Sequence, residues 1–246
     1  MALKAHPDIQ KHLLDLQVVD TRLQQLDHQS KKLPVIAQLA EAAQQLSQLQ
    51  AALRDARGHV EDSQLELNRI ADDSSVVDAR IARDLHLIEA SASAKELAGL
   101  EHELAGLRER SSALDEMQLA VMERLEEHEA VRDQAQSAVT EHAALIARLE
   151  AERDEKLAEL RSDRDYVMAN REHIVSLLPE DLLALYEKQR ARYGFGASRL
   201  QGGVSGASGV RLNEHDLNGI RAAAPDDVIL CPDSHAILVR TEHSGL

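Results

Sequence analysis

Aromatic side chains are nearly missing from this chain of 246 residues. It has no tryptophan, three tyrosines and one phenylalanine, and all four fall between Tyr166 and Phe195. A conventional globular core before residue 166 is therefore not expected, since aromatic residues supply much of the buried area in such cores. The lone cysteine, Cys231, excludes an intramolecular disulfide. No window approaches the roughly eighteen apolar residues of a membrane span, and Met1-Ala2-Leu3-Lys4-Ala5-His6-Pro7 lacks the apolar segment of a signal peptide. The expectation is a soluble, cytoplasmic protein with no membrane partner. Motifs of catalysis are missing too: there is no phosphate-binding glycine loop, nucleophile elbow or zinc-protease helix. The chain is therefore expected to be no enzyme and to need no cofactor.

What fills the space is Leu, Ala, Glu, Gln, Arg and Asp, the composition of long helices with a narrow apolar stripe. The net charge of −15 belongs to residues 1–185, which carry 21 Lys and Arg against 36 Asp and Glu, while residues 186–246 carry 7 of each. The long helices should repel bare nucleic acid. Locally the sign reverses, because Lys188, Arg190, Arg192, Arg199 and Arg211 are uninterrupted by acid until Glu214.

A 3-4 apolar spacing runs from Leu39 to Ile88, and twelve of its fifteen positions are apolar, the exceptions being Ser63, Ser74 and Asp84. Ile9, Leu13, Leu16, Val19, Leu23, Leu26 and Leu33 extend the seam upstream, with a phase slip near Ser30 to Pro34 where the proline removes a backbone donor. A second run continues from Leu97 to Leu149, with Gln118, His128, Arg132 and His142 on its seam. Two runs of similar length around a break at residues 89–95 predict an antiparallel coiled-coil hairpin over residues 1–178. A parallel homodimer fits the same periodicity. The hairpin is favoured because it closes a local loop instead of assembling two chains, and the chain is expected as a monomer or a homodimer.

Residues 179–246 read differently. Pro179 precedes a helix that carries Glu180 and Asp181 in its first turn and should end near Arg192. Eight of the eleven glycines follow residue 193, which predicts flexible turns. Asp216 to Arg221 suits a helical turn. Val228-Ile229-Leu230 and Ala236-Ile237-Leu238-Val239 suit strands around a Cys-Pro-Asp-Ser turn, a pair too small to fold alone and expected to lean on Leu182, Leu183, Leu185 and Tyr186.

Three segments in this order carry a resemblance. Ser93-Ala94-Lys95-Glu96-Leu97 is similar to an Asn-Lys-Glu-Tyr motif that follows the turn between arms. Leu182 to Arg192 resembles a linker helix, and Val228 to Leu238 a closing knuckle. Together they resemble the bacterial family of coiled-coil proteins with a C-terminal C4-type zinc ribbon. The resemblance implies an all-α fold, a long antiparallel coiled-coil hairpin bearing a small degenerate zinc-ribbon-like knob. It also implies partners in transcription or RNA metabolism, with sigma-factor and RNA binding among them. Where that family has two C-x2-C pairs, this chain has Ser205, Ser208, Cys231 and Ser234. Serine hydroxyls are poor zinc ligands at neutral pH beside a thiolate, so no metal is expected, and the knob must be held by packing on the linker helix or be partly disordered. A substitute site of Cys231 and His235 with His215 or His243 is disfavoured, because no paired spacing supplies the remaining ligands.

Two candidate sites follow. Ser93, Lys95 and Glu96 at the turn form a partner-binding tip, in which Ser93 and Glu96 also suit a capping box. Lys188, Arg190, Arg192, Arg199 and Arg211, beside Tyr193 and Phe195, form a nucleic-acid-binding candidate that neutralises phosphates and stacks a base. The alternative there is that the tyrosines and the phenylalanine form the hydrophobic contact of the knob. The expected function is a non-enzymatic adaptor working through the hairpin, against an RNA binder working through residues 188–211 or a structural spacer.

Overall fold

The computed structural model describes residues 3–91 and 93–246; Met1, Ala2 and, within the expected turn, Ala92 lie outside them. The elements in chain order are α1 (Pro7–Lys31), α2 (Pro34–Ala90), α3 (Ala94–Ser176), α4 (Glu180–Tyr193), β1 (Ala197–Gln201), β2 (Val204–Ser205), α5 (Glu214–Ala222), β3 (Ile229–Leu230) and β4 (Ile237–Val239). No helix among the described residues is long and apolar enough to cross a membrane. The chain divides into two compact units, Val35–Ala151 and Met1–Pro34 with Glu152–Leu246. The expected boundary at residue 178 follows the chain, whereas these units follow the contacts.

In the unit Val35–Ala151 the two arms of one chain run antiparallel, which decides for the hairpin over a parallel rod. The buried positions of α2 include Ala56, Ser63, Ile70, Val77 and Asp84, one every seven residues, as a coiled-coil seam requires. Ile70 and Val77 pack with Leu114 and Val121, flanked by Leu67, Ile81 and Leu107. Ion pairs between the arms join Glu66 to Arg124 and Asp73 to Arg110 across the flank. At the start of α2 the phase slip proves to be a full break: α1 ends at Lys31, and α2 begins at Pro34, where proline's missing N–H costs nothing in a first turn.

The other unit corrects the all-α expectation. Its sheet has the order β2-β1-β4-β3, antiparallel except for β1 with β4, which pair in parallel with Ala197 opposite Ile237 and Arg199 opposite Val239. The glycine-rich stretch expected as flexible turns supplies β1 and β2. Gly202 and Gly203 join them at φ 54° and 77°, the left-handed conformations that a two-residue hairpin demands. Strand alternation then sorts the side chains. Ala197, Ile237 and Val239 face Leu13, Leu16, Val19, Ile174, Leu178, Leu182 and Tyr186. Leu200 and Leu238 face Leu212, Leu217, Ile220 and Cys231. The expected support from Leu182 and Tyr186 is present, and α1 shares it. The helical turn expected at 216–221 is α5, N-capped by Asn213, whose side chain accepts from Asp216 N at 2.9 Å.

Candidate functional site

The turn between α2 and α3 is built from small polar residues. Ser93 N donates to Ser91 Oγ at 3.4 Å, and Ser93 O accepts from Leu97 N at 3.0 Å, which opens α3. The expected capping box is altered: the side chain that holds Glu96 is Ser91, whose hydroxyl donates to Glu96 Oε2 at 3.2 Å. Ser93, Lys95 and Glu96 are all exposed. Beside them a groove of about 630 Å³ runs between the arms, lined by Leu87 and Ala90 from α2, by Ser91 just after it and by Glu96, Gly99, Leu100 and Glu103 from α3.

Lower on the seam, the polar residues find partners across it. His128 Nδ1 lies 2.9 Å from Ser63 Oγ and 3.2 Å from the His59 carbonyl, and His142 Nε2 donates to the Ala42 carbonyl at 2.9 Å. Arg132 turns instead to Glu129 and Asp133 of its own helix. Gln118 is half-buried.

The basic candidate is divided by the fold. Lys188, Arg192, Arg199 and Arg211 are exposed, and the Arg192 guanidinium lies 5.3 Å from the centre of the Tyr193 ring. Tyr193 also packs on His235 at 4.6 Å between ring centres. The aromatics separate as well: Tyr193 and Phe195 are 39% and 41% exposed, and Tyr186 is fully buried. Arg190 is taken into an internal ion-pair network. It lies 3.3 Å from both Asp20 and Glu187. Asp20, fully buried, also accepts from Arg171 Nε and from Tyr186 OH, each at 2.7 Å, and Arg171 pairs with Glu187. Gln17 Oε1 accepts from Gly196 N at 2.8 Å. This network ties α1, α3 and α4 to the start of β1. Residue identity alone did not point to it, because Asp20 and Gln17 lie some 150 residues or more along the chain from their partners.

The four positions expected as degenerate zinc ligands, Ser205, Ser208, Cys231 and Ser234, lie in the unit that contains the sheet. Ser205 and Cys231 are fully buried with their side chains 3.4 Å apart, and Ser198 Oγ lies 3.4 Å from Ser205 on the other side. Burial pushes the Cys231 thiol up, but hydrogen bonding by Ser205, by the side chain and backbone of Ser234 and by the backbone of Asp233 outweighs it and holds the thiol below its usual range. Ser208 Oγ accepts from Val210 N, and Ser234 Oγ from Ala236 N. These are turn-forming bonds of ordinary kind. Three hydroxyls and one thiol do not suit zinc, and among the described residues no group of three or more His, Cys, Asp or Glu side chains converges. The substitute set of Cys231, His215, His235 and His243 does not assemble.

Comparison with known proteins is consistent with this architecture. Residues 16–194 match the model of the CT398-like coiled coil hairpin domain. Two curated Mycobacterium tuberculosis proteins, the uncharacterised MT2288 and Rv2229c, are each 34% identical over 241 residues, 98% of this chain and 98% of theirs. A solved structure from Mycobacterium smegmatis is similar at 33% identity and a TM-score of 0.86, covering 97% of this chain and 100% of its own. CT398 from Chlamydia trachomatis shares the fold at 17% identity and a TM-score of 0.51, over 95% of this chain and 98% of that one.

Proposed function

The chain belongs to the CT398-like coiled coil hairpin family, and on that premise we propose that it is a non-enzymatic adaptor that offers the tip of its hairpin to a protein partner. The observation that carries this reading is the tip itself: an apolar groove between the arms, next to the exposed Ser93, Lys95 and Glu96. Helical faces with an open groove are a recurrent way of receiving a partner segment. The resemblance of the three segments to coiled-coil zinc-ribbon proteins directs the search to transcription or RNA metabolism in the cytoplasm, with a sigma factor as one candidate. The test is capture of partners on the intact protein from its native cytoplasm, with and without nuclease. A nuclease-resistant protein lost on replacing Lys95 and Glu96 by Ala supports the adaptor.

A second reading has an observation of its own. Tyr193 and Phe195 stand exposed, with the Arg192 guanidinium over the Tyr193 ring, and Arg199 and Arg211 are exposed in the same unit; such aromatic and basic side chains are suited to stacking a base of single-stranded RNA while neutralising phosphates. It requires affinity that falls steeply with salt and is lost when Arg192, Arg199 and Arg211 are replaced by Ala. Arg190 is left out of that test because its replacement would disturb the Asp20 network. The structural-spacer reading requires a concentration-dependent oligomer, and a strict monomer in sedimentation would reject it.

A further inference from the structure

The groove at the tip lies at the end of a partly polar row. The buried seam positions Ser63, Ile70, Val77 and Asp84 recur every seven residues along α2, and the next position of that row is Ser91, which lines the groove. Ser63 meets His128 across the seam. Asp84 meets no counterpart of that kind. It is 2% exposed, its Oδ2 has no hydrogen-bond partner among the described residues, and the adjacent Arg83 reaches Oδ1 only at 3.7 Å. A buried carboxylate oxygen without a donor costs free energy that an apolar seam residue would not. Asp84 lies one heptad below the groove and does not line it, so a cation from the groove reaches it only as the arms part there, and the cost of the unpaired oxygen favours that parting.

The surroundings select a sign of charge. Residues 83–110 carry Asp84, Glu89, Glu96, Glu101, Glu103 and Glu109 against Arg83, Lys95, Arg108 and Arg110, and Arg110 is turned to Asp73. The groove walls are apolar at Leu87, Ala90 and Leu100, with the carboxylates of Glu96 and Glu103 also lining it. A Cβ at Gly99 would meet nothing within 4 Å, so this side of α3 stays open to an approaching backbone.

We infer that the groove receives a basic amphipathic helix of a protein partner, whose apolar face covers Leu87, Ala90 and Leu100 while a lysine or arginine is delivered to Asp84. The inference rests on the adaptor reading and specifies the partner's chemistry. Arrival of the cation completes the bonding that the free hairpin leaves open, and the acidic surroundings speed encounter at low salt.

The probe is a fluorescently labelled peptide of about five helical turns, with leucines on one face and lysines on the other, titrated into the full chain at physiological ionic strength. A control peptide carries glutamates in place of the lysines. The lysine peptide is expected to bind and the glutamate peptide not. Asp84→Leu should raise the thermal midpoint of the protein and weaken binding by about tenfold or more. Asp84→Asn, which keeps the shape, should weaken it too, and Glu127→Gln, an acid outside the tip, should leave it unchanged. Binding by both Asp84 variants as tight as that of the unaltered chain, or equal binding of the two peptides, overturns the inference. So does self-association that disappears with Asp84→Asn, which would give the groove to a second copy. If native capture depends on Lys95 and Glu96 but is indifferent to Asp84→Asn, the adaptor stands and this inference falls; if no tip substitution affects capture, the adaptor reading falls.

Discussion

At the scale of single residues, Asp20 and Tyr186 decide how the first helix is fastened. A fully buried carboxylate survives only when it is paired and hydrogen-bonded, and Asp20 has Arg171, Arg190 and the Tyr186 hydroxyl around it. Burial first, and then the bond to Asp20 and its negative charge, raise the Tyr186 phenol far above its usual pKa of 10.0, with Arg190 opposing. The unfolded chain therefore ionises this group at a pH where the folded chain still holds the proton. The stabilisation is complete below about pH 10 and declines as pH rises beyond it. Tyr186→Phe should cost about 1–3 kcal/mol at neutral pH and flatten the alkaline loss, read as denaturation midpoints across pH 8–11. A variant that keeps the full alkaline slope would separate the slope from Tyr186. Gly196 belongs to the same contact, since a Cβ there would collide with the Tyr186 ring.

At the scale of elements, Arg240 acts as a clamp on the connection from α5 to β3. Its Nη1 donates to the Ile220 and Ala223 carbonyls, and its Nη2 to those of Ala224, Pro225 and Asp227. These include carbonyls that the end of a helix leaves without partners. Arg240→Ala should cost about 2–4 kcal/mol and raise amide exchange at Val228, which bonds Leu3 O, and at Ala5, which bonds Asp226 O. Arg240→Lys should recover little, because one ammonium cannot reproduce a planar fork. The legibility of elements in the sequence follows from the range of their contacts. Heptads announce α2 and α3 because each apolar position repeats the same local rule. The Gly202-Gly203 pair between Leu200 and Val204 was a readable hairpin signal, obscured by its neighbouring glycines. The parallel pairing of β1 with β4 was not readable, since it joins Ala197 to Ile237, forty positions apart in the chain. Of the candidate sites, the turn that would carry the tip was legible in position, through the break in the seam between Ala90 and Ala94. The basic stretch was misleading at Arg190, whose acidic partner Asp20 is contributed by α1.

At the scale of the whole molecule, the buried clusters are apolar or ion-paired, and among the described residues no group of three or more His, Cys, Asp or Glu side chains converges. Addition of a strong chelator should leave the thermal midpoint unchanged, and a drop of several degrees would reveal a bound ion that holds the fold. The compact unit that contains the sheet is assembled from both extremities of the chain: Leu3, Lys4 and Ala5 pair with Asp226, Asp227 and Val228, and Leu13, Leu16 and Val19 share a core with Ile237 and Val239. That arrangement sets a timetable during synthesis. The apolar face of α1 leaves the ribosome some 220 residues before its strand partners, which at about 5–20 residues per second means an exposure of roughly ten to forty seconds. Throughout that interval the arms of the hairpin can already zip together from neighbouring segments. A chain cut short before β4 would keep the ion pairs of Asp20 but leave Leu13, Leu16 and Val19 without Ile237 and Val239, a ready mark by which quality control distinguishes incomplete copies from finished ones.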